Sequence, residues 1–129
     1  MAAVTSGTIK TSYFNSDGDK GRYVLDWEIK STSGFVRTIS YSVKVEYTGN
    51  RLRPYSCFLD LEGYNSGTVS PTSITILKKG SYPGDWTTYP ESGEVIATGT
   101  FKVTHSKSNA KGGFKGTLHG GMYSFSSNA

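Results

Sequence analysis

Tyr23-Val24-Leu25-Asp26-Trp27-Glu28-Ile29-Lys30 sets a large apolar side chain at every second position, with mostly polar ones between. A strand repeats its side-chain direction every two residues, so the stretch predicts a β-strand with Tyr23, Leu25, Trp27 and Ile29 on one face. Burying a tryptophan removes on the order of 150–250 Å² from water, worth up to about 4–6 kcal/mol, so later strands have to cover this face. The same logic extends along the chain. Ile39, Tyr41, Val43, Val45 and Tyr47 alternate with Thr38, Ser40, Ser42, Lys44 and Glu46, and the short polar corner Ser31 to Gly34 predicts that this strand lies antiparallel to the first. Leu25, Trp27, Tyr41, Val43 and, further on, Phe101 are the expected structural core.

Upstream, Thr8 to Phe14 reads as a short edge strand with Ile9 and Tyr13 on one face, followed by the turn formers Asn15 to Gly21. Asn15, Asp17 and Asp19 have the spacing of a calcium loop, but Lys20 stands where that loop needs glycine, and the twelfth position, Asp26, falls inside a strand. The segment is therefore read as a turn. Downstream, Tyr55, Cys57, Leu59 and Leu61 alternate, Gly63 to Gly67 turns the chain, Ile74 to Leu77 forms a short run, and Val95, Ala97, Gly99, Phe101 and Val103 form another strand. A last strand runs from Phe114 through Leu118 to Met122. Between them, Gly80 to Gly93 holds two prolines and three glycines and reads as an aromatic-rich loop.

Seven to eight short strands, with turns near every ten residues and a tryptophan early in the chain, predict an all-β, immunoglobulin-like antiparallel β-sandwich without the usual cysteine pair. The chain has 129 residues, which suits one domain. Sixteen glycines and nine tyrosines fit strands joined by tight turns. The lone Cys57 lies in an apolar alternation and reads as a small buried core residue. Fourteen Lys and Arg oppose ten Asp and Glu, scattered along the chain, which points to ordinary surface charge and away from a nucleic-acid partner. No apolar run has the length of a signal peptide or a membrane span, so the expectation is a protein made in a cytoplasm, with no membrane partner.

Chemistry-bearing motifs are sparse. His105 and His119 sit in no nucleophile, metalloprotease or phosphate-loop pattern, and the Cys and His content does not support a metal site or a cofactor. The chain is read as non-enzymatic, with His105 bonding backbone at a strand end and His119 facing outward. The loop residues Tyr82, Asp85, Trp86 and Tyr89 combine flat aromatic faces with a carboxylate, the mixture that stacks on sugar rings and bonds their hydroxyls. The competing reading folds Trp86 back as a cap on the open end of the sandwich. A third groups these aromatics with Tyr64, Tyr123 and Phe125 as a protein interface, with homo-oligomerisation or edge-strand pairing between copies.

Three fragments resemble an uncharacterised family of tail-associated structural proteins from siphovirus-type phages of Gram-positive bacteria and their prophages. They are Thr5 to Ser12 with Leu25 to Ser33, then Thr38 to Val45, then Ala97-Thr98-Gly99-Thr100-Phe101-Lys102-Val103-Thr104-His105 running on to Gly120-Gly121-Met122-Tyr123. After the histidine the family has a carboxylate where this chain, in Ser106 to Gly112, carries lysine. The resemblance implies a virion tail location and other tail proteins as partners. It also implies a role in host adhesion, with a host cell-wall saccharide as the ligand of the aromatic loop, or alternatively a purely structural role in virion assembly. Because such domains usually belong to longer chains, the expectation is a single domain over 1–129 that is either the N-terminal module of a longer tail protein or a short relative, its final strand missing or supplied elsewhere.

Overall fold

The computed structural model describes residues 6–16, 18–48, 52–63, 67–77, 92–104 and 113–124. They form two antiparallel sheets packed as a sandwich. One sheet takes β1 (Ser6–Lys10), β3 (Asp19–Ser33), β4 (Val36–Tyr47), β8 (Val95–Thr104) and β6 (Thr68–Ser70) in that spatial order, with β2 (Phe14–Ser16) also paired to β3. The other has β5 (Leu52–Gly63) between β7 (Ser73–Leu77) and β9 (Phe114–Ser124). Among the described residues there are nine strands, against the seven to eight expected. The extra ones are three-residue pieces, too short to show an alternation.

The opening stretch lies inside the longest strand. β3 and β4 form an antiparallel hairpin in which Leu25 pairs with Val43 and Trp27 with Tyr41. Only Gly34 and Phe35 connect them, and Gly34 has φ +61°, as the first central residue of a primed hairpin turn requires. Tyr23, Leu25, Trp27, Ile39, Val43 and Val45 are buried, whereas Ile29, Tyr41 and Tyr47 are half-buried at the margin of the core. The second sheet covers them with Cys57, Leu59, Leu61, Phe114 and Leu118. Phe114 meets Trp27 and Phe101 edge-on, each at a ring separation of 5.0 Å, a geometry worth about 0.5–1.5 kcal/mol per pair beyond burial.

Tyr23 ties the layers together at the other end. Its phenol Oη donates to the Gly121 carbonyl at 2.7 Å, and its ring lies where a Cβ on Gly120 would stand. Gly120 thus lets the β9 backbone approach a tyrosine of the opposite sheet.

Two expectations need correction. The single strand over Thr8 to Phe14 is broken, because Thr11 exchanges bonds with Tyr23: its N–H donates to the Tyr23 carbonyl and its hydroxyl accepts from the Tyr23 N–H, both at 3.0 Å. Tyr13 consequently leaves the Ile9 face. It is exposed, with Arg22 4.6 Å and Lys20 5.2 Å from its ring centre. Val95 likewise leaves the Phe101 face. β4 pairs Val43 with Ala97 but Lys44 with Val95, so a bulge at Ile96 turns Ile96 toward the core and leaves Val95 exposed.

Removing the Tyr23 hydroxyl would leave the buried Gly121 carbonyl without this donor. Tyr23→Phe should lower stability by about 1–3 kcal/mol in urea unfolding. Trp27→Ala should cost about 3–5 kcal/mol as a buried large-to-small change. A wild-type midpoint for Tyr23→Phe would contradict the assigned bond.

Candidate functional site

The core-facing row Gly7, Trp27, Tyr41 and Gly99 crosses β1, β3, β4 and β8 in register. Its two large rings splay outward over its two glycines. A Cβ on Gly7 would lie 2.8 Å from Trp27 Nε1, and one on Gly99 would lie 2.6 Å from the Tyr41 oxygen. Burial also raises the Tyr41 phenol above its ordinary pKa. All the bulk of this row points into the sandwich.

On the outer face the two neighbouring rows carry only short or acidic side chains. Ser6, Glu28, Ser40 and Thr100 align in one register row, and Thr8, Asp26, Ser42 and Thr98 in the other. Together with the backbone of the glycine and aromatic row they line a shallow depression of about 690 Å³. Six hydroxyls, each donor and acceptor, and two carboxylates, acceptors only when ionised, thus face solvent in two parallel rows. Thr8 Oγ1 donates to Asp26 Oδ1 at 2.7 Å, and Glu28 Oε1 meets Lys30 Nζ at 2.9 Å. Longer side chains flank the depression. On one side stand Lys10, Arg22, Lys44 and Glu46, where Glu46 pairs with Arg22 at 3.0 Å and Lys44 at 3.7 Å; on the other stand Lys30 and Lys102. The strand alternation that fixed the core therefore also produced this array, in Ser6-Gly7-Thr8, Ser40-Tyr41-Ser42 and Thr98-Gly99-Thr100.

The sequence-derived ligand residues Tyr82, Asp85, Trp86 and Tyr89 lie outside the described residues, as do His105, Tyr64, Phe125 and the side chain of Tyr123. What the structure gives is the anchorage of the segment that follows them. The Gly93 N–H donates to the Val45 carbonyl at 2.7 Å, and the Ser92 hydroxyl accepts from the Tyr47 N–H at 2.9 Å, which fastens residues 92–94 beside the end of β4.

On the outer face of the second sheet His119 is exposed, as expected. Its ring stacks on Phe58 with centroids 4.7 Å apart, and its Nε2 lies 3.1 Å from Asp60 Oδ2. Sequence reading missed this trio because its members come from two strands paired only by the fold, Phe58 opposite His119. It lies on an open sheet face. Among the described residues no group of three or more His, Cys, Asp or Glu could hold a metal ion. No protein-family model, curated protein or solved structure matches the chain.

Cys57 is buried, as its place in the alternation predicted, and burial pushes its thiol up to about 12. The reactive thiolate is therefore scarce near neutrality. Ellman's reagent at pH 8 should label the folded protein at the rate of global unfolding and the urea-unfolded chain within seconds. Fast labelling of the folded state would contradict this burial.

Proposed function

We propose that the chain is a non-enzymatic adhesion module of a phage or prophage tail that binds a cell-surface saccharide. The observation that carries this reading is the depression on the outer face of the β1, β3, β4 and β8 layer. The side chains of its two outward rows are all hydroxyls or carboxylates, whereas the rows beside it include Lys10, Val24 and Lys44 on one side and Lys30 and Lys102 on the other. Polyhydroxylated ligands are held by many directional hydrogen bonds from a pre-formed surface, and this array offers donors and acceptors fixed on rigid strands. The tail location and the partnership with other tail proteins come from the resemblance in the three sequence fragments. Tyr82, Asp85, Trp86 and Tyr89, which precede Ser92 in the sequence, are proposed as a second contact.

An immunoglobulin-like assignment is part of the proposal. It is supported by the two antiparallel layers with Trp27 packed between them. The long β3–β4 hairpin within one sheet departs from the order that places the second and third immunoglobulin strands in opposite layers. The alternative, a purely assembly-directed domain, would be favoured by a broad exposed apolar patch. Among the described residues the exposed large apolar side chains are Tyr13, Phe35, Phe58 and Val95, and they stand on different elements.

Co-sedimentation with purified cell-wall saccharide from Gram-positive hosts tests the reading. Wild type should pellet with at least one wall, Ser42→Trp should lose at least ten-fold in binding by filling the depression, and Trp86→Ala should bind more weakly with an unchanged melting temperature. Wild type that pellets with no wall would overturn the saccharide reading in favour of the assembly role.

A further inference from the structure

The register of the depression gives more than its chemistry. Four strands contribute one outer-face residue each to a row, and neighbouring strands are spaced about 4.8 Å apart, so each row reaches ~14 Å across the sheet. The two rows are two residues apart along each strand, a separation of about 7 Å. The result is an elongated lattice whose long direction runs across the strands. Along the strands it is flanked by rows that carry longer side chains, Lys10, Val24 and Lys44 at one end and Lys30 and Lys102, with Thr38 between them, at the other. Across the strands, from Ser6 and Thr8 on β1 to Thr98 and Thr100 on β8, the lining stays short.

We infer that the ligand is an unbranched glycan laid across the strands from β1 to β8, with about three sugar rings in contact. The length follows from the ~14 Å reach of each row, about that of three linked hexose rings. Absence of branching follows from the long side chains at the ends of the strands, which block substituents projecting along the strand direction. Asp26 and Glu28 line the floor, Glu28 is paired with Lys30, and lysines stand at both ends, so the charge around the depression is mixed. The hydroxyl that Thr8 donates to Asp26 holds that carboxylate at the centre of its row, where it can accept from sugar hydroxyls.

This inference rests on the proposed saccharide binding, and a length series separates the two. Isothermal titration with neutral homo-oligosaccharides of glucose, N-acetylglucosamine, mannose and galactose, each from one to six units, supplies the probe. In the series that binds, affinity should climb at least ten-fold from the monosaccharide to the tetramer and then level off. Ser6→Ala with Thr100→Ala, which removes hydroxyls at the two ends of one row, should flatten that climb while the melting temperature stays at the wild-type value. Binding that is equally tight for monosaccharide and tetramer would overturn the inference and leave saccharide binding standing. Heat from none of the series would overturn both.

Discussion

Two large rings packed into one row of the sheet govern the shape of both faces of this sandwich. Trp27 and Tyr41 are register partners on adjacent strands, and each leans over a glycine on its far side, Trp27 over Gly7 and Tyr41 over Gly99. A side chain at either glycine would collide with a ring, so the row tolerates no Cβ at its ends. Phe114 from the opposite sheet then presses edge-on against Trp27 and Phe101, which makes this row the seat of the sandwich.

That packing also shapes the exterior. Strand alternation places whatever flanks a core residue on the other face, and around these four core-facing positions the flanking residues are Ser, Thr, Asp and Glu. The depression is the reverse side of the aromatic row. Its hydroxyls sit on strands whose inner face packs Trp27 edge-on against Phe114 of the other sheet. Tyr23 makes the corresponding contribution at the other end of the sandwich, where its hydroxyl bonds β9 and its ring occupies the space that Gly120 leaves open.

Much of this is legible in the sequence. The alternations from Tyr23 to Lys30 and from Thr38 to Tyr47 name the central hairpin, its antiparallel partner and most of its buried residues. Cys57, Leu59 and Leu61 are legible for the same reason. What escapes is set by single hydrogen bonds and by one inserted residue. No period-two pattern reveals that Thr11 bonds the Tyr23 backbone and turns Tyr13 outward, or that Ile96 forms a bulge and reverses Val95. The outer depression is present in the letters, as three Ser/Thr-x-Ser/Thr segments, but reading strands for their apolar face passes over the polar one. Its alignment is a matter of register between strands far apart in sequence. The trio of Phe58, Asp60 and His119 is hidden for that reason too.

If the short-chained outer face of the β1, β3, β4 and β8 layer is a ligand surface as well as a solvated one, bound saccharide has to report from its two rows. Amide shifts in a ¹⁵N-labelled sample, titrated with the saccharide that it sediments with, read this out residue by residue. Perturbations should concentrate at Gly7, Asp26, Glu28, Ser40, Ser42, Thr98 and Thr100, on the strands that carry the buried rings. Perturbations confined to the opposite sheet, around Phe58 and His119, would contradict a ligand surface on this face.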